Sequence, residues 1–437
     1  MTGASPIAIS TALAVPADPG LPQLETALDP GRMMHLGLLP FPGSVTERDL
    51  RVAYVRYKPG TNCIVLYESR QESGPPLWAY SKLFADEPDL KTSDPSRVTV
   101  YDPRHRMALM RFPLDLEMPA LKMANDPEQA GELLARTVRA SRRSRFVEQW
   151  GGWEPIRYKP ERRCVMRGIY RSPRRNADKN FYARFYAPGE GVRTREWHRY
   201  FSNTEALKLR VPRCVGYSAG RRVLLLHGES GKPLQGFFRE PQAVLLEAIK
   251  TAAAALAHWH TLVPPPDAPP RGSRVAEIRR ARLAVDSLLG GLSSASELAN
   301  ELEASVPAAG GARTLIHGDF YYDQILLHRG VTKFLDLDEL ALGDPVEDIA
   351  NFCAHVKLLA AQGDLDDSRG DWICSQFLEE YQVAAGQSIP VVSFRWHLST
   401  CLFKLAVLPF RKFIPDWPSR VQAVLDLAGT ATGEARC

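Results

Sequence analysis

Two hydrophobic periods divide the chain. In the first half, apolar and polar residues alternate in short runs rich in β-branched and aromatic side chains, the period-2 pattern of strands. IVLYESR after Cys63 and VMRGIYR after Cys164 are two such runs, and each is followed by a turn-rich gap and a further strand, WAYSKLFAD (78–86) or FYARFYAPG (181–189). From residue 239 the spacing becomes helical. REPQAVLLEAIKTAAAALAHWHTL (239–262) stops before Val263-Pro-Pro-Pro, and 273–292 and 294–306 follow with the same period. Later helices are predicted near 345–362, 367–385, 391–410 and 417–430. A β-rich half followed by an α-rich half predicts an α+β, two-lobed architecture.

The β-rich half repeats itself. Tyr54-Val-Arg-Tyr-Lys-Pro-Gly-Thr-Asn-Cys63 returns as Pro155-Ile-Arg-Tyr-Lys-Pro-Glu-Arg-Arg-Cys164, an offset of 101, and 98–121 is echoed by 214–234. Each copy is expected to be a small antiparallel sheet with one inserted helix. Two copies are too few for a solenoid, so duplication of a subdomain is the natural reading. The expected organisation is a disordered tail (1–25), a first copy acting as a cap (26–125), a second copy (126–229) and a helical lobe (230–437).

A chain of 437 residues is too long for one core, and 45% hydrophobic with 24% charged residues is the composition of a soluble globular enzyme. No apolar run approaches the roughly 18 residues needed to span a bilayer. The first twenty residues lack a basic n-region, so no signal peptide is expected. Seven cysteines with no CxxC pair argue against a zinc site or a disulfide framework and for a reduced, cytoplasmic protein. The net charge is +5, yet eight Lys or Arg fall between Arg157 and Arg175 against one acid, Glu161. Such a stripe suits nucleotide phosphates or a solvated strand face. No nucleic-acid or membrane partner is expected.

Residues 315–351, LIHGDFYYDQILLHRGVTKFLDLDELALGDPVEDIAN, carry the chemistry. Asp319 is followed five residues later by Gln324 and twelve further on by Asp336. In kinases one aspartate accepts the substrate hydroxyl proton, while an amide and a second aspartate hold Mg²⁺. Gly318 permits the tight turn that exposes Asp319. Strands at 325–327 and 331–335 around His328-Arg329-Gly330 would return Asp336 to the side of Gln324. Asp338, two residues on, is a candidate second-metal or substrate-contacting acid. Asp344, ahead of Pro345, reads as a helix cap, and the acids of GDPVED as structural.

HGD-x4-Gln, LD and GDP-x2-DIA resemble the signature of the aminoglycoside phosphotransferase and choline kinase superfamily over about residues 155–410. Maltokinases resemble it more closely at Gln324, where most of the superfamily has Asn. The resemblance implies a bilobal, protein-kinase-like fold with an antiparallel β N-lobe and a helical C-lobe. It implies an ATP-dependent small-molecule kinase, with Asp319 as catalytic base and Gln324 and Asp336 as Mg²⁺ ligands. The third-strand lysine of the family corresponds to Arg184 in the second copy and to Lys82 in the first, and Arg and Lys are not equivalent. Glu196 is the expected partner of Arg184, with Glu205 as the alternative. In place of a GxGxxG loop stands the turn Lys159-Pro160-Glu161-Arg162-Arg163, whose Lys159 and Arg162 would meet the phosphates. VLLLHGESGKPL (223–234) resembles the interlobe linker, so His227 to Glu229 would present backbone groups to adenine. The acceptor is expected to be a sugar, aminoglycoside-like or related natural-product hydroxyl, with a neutral one preferred. Gln324 and Arg184 keep a competing reading open, a nucleotide-binding pseudokinase.

Overall fold

The alternating runs of the first half build two five-stranded antiparallel sheets with one topology. β1 (Leu50–Lys58), β2 (Asn62–Ser69), β3 (Leu77–Phe84), β4 (Val100–Asp102) and β5 (Met107–Arg111) lie in the order β1-β2-β3-β5-β4. β6 (Trp150–Lys159), β7 (Arg163–Ser172) and β8 (Ala177–Tyr186) lead to β9 (Leu209–Arg210), which joins a different sheet. β10 (Cys214–Ser218) and β11 (Val223–His227) then complete the order β6-β7-β8-β11-β10. The register repeats too: Tyr57 lies opposite Cys63, and Tyr158 opposite Cys164. The inserted helix of the second copy is Val192–Ser202. The computed structural model describes residues 14–433 apart from 72–73, 88–97, 125, 138–149, 173–176, 203–208 and 308–312. The matching interval of the first copy therefore falls largely outside the described residues.

Strand alternation decides how the sheets stack. Ile64, Leu66, Tyr80, Ala108 and Met110 on one face of the first sheet share a core with Cys164, Met166, Ala183 and Phe185 of the second. The intervening Cys63, Val65, Tyr67, Leu83, Met107 and Leu109 turn the other way and pack in a core with Leu24, Leu28 and Met33. The first sheet is thus buried on both faces. The second keeps a polar face, on which Arg157, Val165 and Arg184 are cross-strand neighbours, as are Lys159, Arg163 and Tyr186.

Residues 14–25, expected within a disordered tail, are packed. Asp18 accepts hydrogen bonds from the Tyr57 hydroxyl and the Gly60 N–H, both 2.8 Å, and Leu21 and Leu24 are buried. The Trp417 indole donates to Ala14 O at 2.9 Å. The turn after β1 supplies donors to this segment, and the first sheet supplies an apolar floor.

The helical half follows its period closely: Gln242–Trp259, Arg274–Leu289, Ser293–Ala304, Val346–Ala361, Asp367–Ala385, Val391–Leu405 and Trp417–Gly433. Gly290 and Gly386, both left-handed, stop two of them, as helix C-termini favour. Contrary to the sequence expectation, Val391–Arg411 is apolar and long enough to span a bilayer by composition, with mean hydropathy 1.3. Its window is 56% buried, and it packs on Val346–Ala361 and Trp417–Gly433, as a core helix does. Small hairpins complete the lobe. β12 (Lys232–Pro233), β14 (Ile325–His328), β15 (Val331–Phe334) and β9 form one sheet, and β13 (Thr314–Ile316) pairs with β16 (Ala341–Gly343).

Candidate active site

β13 ends at the His317-Gly318-Asp319 loop, and the loop is fixed from behind. The N–H groups of His317 and Gly318 donate to the two carboxylate oxygens of Asp348 at 2.7 and 2.9 Å, and His260 Nε2 lies 3.1 Å from the same carboxylate. Burial opposes the charge on Asp348, but His260 and His317 outweigh it and hold the carboxyl below its usual range. Asp344 accepts the Val346 N–H at 2.9 Å, so both acids are structural, as their motif suggests. Gly318 has φ +80°, and a Cβ there would lie 2.2 Å from Glu339 O, so no other residue lets the chain pass.

The β14–β15 hairpin brings the remaining motif residues back. Leu335 N–H donates to Gln324 O at 2.8 Å, and His317 Nε2 donates to Leu335 O at 2.7 Å. Gln324 and Asp336 therefore sit side by side beneath the loop. Gln324 is buried. Asp336 occupies the left-handed region at φ 58°, which a non-glycine residue adopts only where its surroundings impose it. Burial and the Asp336 charge push the Asp319 carboxyl upward, against His317, Lys159 and Arg163. The three motif residues thus form one cluster.

Two arginines close over it from the polar face of the second sheet. Arg184 Nη2 lies 2.6 Å from Asp336 Oδ1 and 3.2 Å from Asp338 Oδ2. Arg163 Nη1 lies 3.1 Å from Asp336 Oδ1 and also donates to Asp338 Oδ2. Burial works against the charge of Asp336, yet Arg184 and Arg163 prevail and hold its carboxyl far below the carboxylate range. Asp338 Oδ1 accepts from Thr194 Oγ1 at 2.6 Å and from the Tyr186 hydroxyl at 3.2 Å. Asp338, expected as a free metal or substrate ligand, is instead an anchor with both oxygens engaged.

Arg163, Tyr186 and Thr194 were not singled out as site residues by sequence reasoning. The signal for the first two was strand parity, which places them on one face with Arg184. Two expectations for this lobe are corrected. Glu196 does not pair with Arg184: it is half-exposed and meets Arg195 at 3.2 Å and Arg199 at 3.9 Å, because its helix turns it to solvent. Arg184 has C-lobe partners instead, and Glu205 lies outside the described residues. The backbone donors at 227 and 228 are not free for adenine. His227 N–H donates to Arg213 O at 2.9 Å and Gly228 N–H to Asn180 O at 2.8 Å, while the Glu229 carboxylate pairs with Lys333 at 2.8 Å.

Of the two residues assigned to the phosphate turn, Arg162 lies 3.8 Å from Glu190 at the half-exposed edge, and Lys159 faces inward near Asp319. Burial, then Arg157, Arg163 and Arg162, pull the Lys159 ammonium down to about 8. An unfolded lysine keeps its proton to about 10.5, so between these values the unfolded chain binds more protons and this group's contribution to stability rises with pH. Nucleotide affinity should move the opposite way. KM for ATP is expected to rise as pH passes 8, because the turn loses a cation, and steady-state kinetics on either side of that pH should show the step in wild type and not in Lys159→Ala.

A β lobe meeting a helical lobe over an Asp/Gln/Asp cluster defines a kinase-like protein. Residues 172–394, half of the chain, match the APH family, described as the phosphotransferase enzyme family. The chain belongs to that phosphotransferase family. The first copy lies outside the match. The fold is similar to that of a choline kinase from Cryptosporidium parvum Iowa II, with a TM-score of 0.51 and 10% identity over 71% of this chain and 96% of that one. Weaker likenesses are to a choline/ethanolamine kinase family protein from Mesorhizobium loti (TM-score 0.44, 13% identity, 64% and 88% covered) and to an aminoglycoside phosphotransferase from Streptomyces rimosus (0.40, 20%, 58% and 92%). No curated protein sequence matches.

Proposed function

We propose that this chain transfers the γ-phosphate of ATP to a hydroxyl of a small sugar-like or related natural-product acceptor. The observation that carries the reading is the cluster of Asp319, Gln324 and Asp336 under the cations Lys159, Arg163 and Arg184. Asp319 orients the acceptor hydroxyl and takes its proton, and its raised carboxyl suits a base that must hold a proton transiently. The turn and third-strand cations balance phosphate charge, the guanidinium forks matching phosphate oxygens bidentately.

Mg²⁺ fits the donor set. The ion takes one or two carboxylates plus nucleotide phosphates, and Asp336 with the carboxamide of Gln324 offers hard oxygens of that kind. Bound there, it would neutralise charge on the transferred phosphoryl group. No group of three His, Cys, Asp or Glu suited to a metal occurs among the described residues, so the nucleotide would complete the coordination.

Charge around the acceptor side favours a neutral acceptor over a polycation. Asp323, next to the loop, lies within reach of the cations Arg157 and Lys412. A cationic acceptor would meet these positive groups at the mouth of the site.

The test is ATP turnover with Mg²⁺ across sugars, polyols, choline and aminoglycosides. Turnover is expected with a neutral polyhydroxyl compound. ATP binding without turnover on any acceptor would favour the pseudokinase, which the occupation of Asp336 Oδ1 by two arginines already recommends as the competitor. The absence of both binding and turnover would remove the kinase reading.

A further inference from the structure

Among the described residues, the ion pairs between the first sheet and the second converge on the phosphate-facing turn. Glu161, in the middle of the β6–β7 turn, has its side chain 4% exposed. Its Oε2 accepts from Lys82 Nζ at 2.8 Å and from Arg56 Nη2 at 3.2 Å, both on the first sheet. Asp115, in the segment after β5, accepts the Glu161 N–H at 2.9 Å and the hydroxyl of Tyr158 at 2.7 Å. Side chain and backbone of this turn are therefore both held by the first copy.

Lys82 and Arg184 stand at matching places in the two sheets. Lys82 lies between Ile64 and Ala108, and Arg184 between Val165 and Leu224. Each reaches forward into the next unit of the chain: Arg184 to Asp336 in the helical lobe, Lys82 to Glu161 in the second sheet. The position of Glu161 makes the pairing more telling. Its counterpart in the first copy is Gly60 at φ 60°, and Glu161 adopts the same left-handed conformation at φ 56°. That conformation favours glycine, so a glutamate here holds an unfavourable backbone for the sake of its carboxylate.

On either side of Glu161 stand groups that face the site. Lys159 acts on Asp319, and Arg163 bonds Asp336 and Asp338. Resting on the kinase reading above, we propose that Lys82, through Glu161, is a positioning residue for nucleotide binding: the first copy sets where Lys159 and Arg163 stand, in place of the backbone cradle of a glycine-rich loop. The basic residue of the first copy has no phosphate of its own to meet and orders the turn that does.

The experiment compares wild type, Lys82→Met, Lys82→Arg and Glu161→Gly by steady-state kinetics with Mg-ATP and by amide hydrogen exchange across 159–163. Lys82→Met and Glu161→Gly are expected to raise KM for ATP about tenfold with kcat changed less than about twofold, and Lys82→Arg to restore most of the loss. Glu161→Gly relieves the backbone, so a folded protein with poor nucleotide affinity separates positioning from stability. Exchange at 159–163 should quicken in both variants. If wild type turns over ATP and both variants keep its KM, the proposal is overturned. If wild type shows no turnover, the kinase reading fails on its own, and exchange decides the tether: unchanged protection in Lys82→Met overturns it as well.

Discussion

Replacing Asp319 with Ala is expected to lower kcat about a thousandfold while KM for ATP stays within about threefold of wild type. The residue stands at the end of a loop fixed independently by Asp348 and Gly318, so truncating its side chain leaves the loop in place. Asp319→Asn carries a second, less intuitive expectation. Burial and Asp336 raise the folded carboxyl, so the folded state holds the proton to higher pH than the unfolded state does. The stability this group contributes is present at acid pH and is lost as pH rises through the folded value. At neutral pH the raised carboxyl of Asp319 is therefore a liability, and Asn should raise the thermal midpoint as it abolishes turnover. A variant that stays active, or one that melts earlier at neutral pH, would contradict the role given to this side chain.

Asp336→Ala should be far more damaging to the fold. The change strands Arg184, whose side chain is 7% exposed, and Arg163, at 17%, beside a vacated acceptor. Removing one partner of a buried ion pair destabilises by about 3–5 kcal/mol, and Asp338 can take over only part of the load because its oxygens are already shared. The low end of that range is expected, together with loss of Mg²⁺-dependent turnover. Asp336→Asn is the informative companion, since Asn tolerates the left-handed backbone at this position and isolates the charge from the conformation. Urea titration of Asp336→Ala and of Asp336→Ala with Arg184→Met should show the double variant more stable than the single one. Additive losses would mean the arginine does not depend on Asp336.

Much of this was legible because it is local. The interval from Asp319 through Gln324 to Asp336 is a loop and a hairpin, whose geometry follows from the turn at His328-Arg329-Gly330 and from strand parity on either side. The helical half was legible from its period, since each helix buries one stripe. The repeat fixed two copies of one sheet, but not which face meets which. That depends on pairing residues far apart in the chain, and apolar runs buried on both faces, such as β2, carry no sign of their partner. The same distance hid Arg163, which reaches acids more than 170 residues away. Glu196 misled because pairing it with Arg184 presumed the family's arrangement, while here the C-lobe acids take that arginine. Glu161 was visible as the one acid in a basic stripe, but the Lys82 that uses it belongs to the other copy.

The double-sided burial of the first sheet bears on how this enzyme comes apart. Ile64, Leu66 and Tyr80 face Cys164, Met166 and Phe185, so the two sheets share one interior, and the first has no water-compatible back. The boundary that the repeat suggests in sequence is crossed by a shared core. A fragment trimmed to residues 172–394 would lack β6 and most of β7, and would leave Ala183 and Phe185 bare to solvent. The stacked pair is expected to melt in one transition, which calorimetry on the full chain checks.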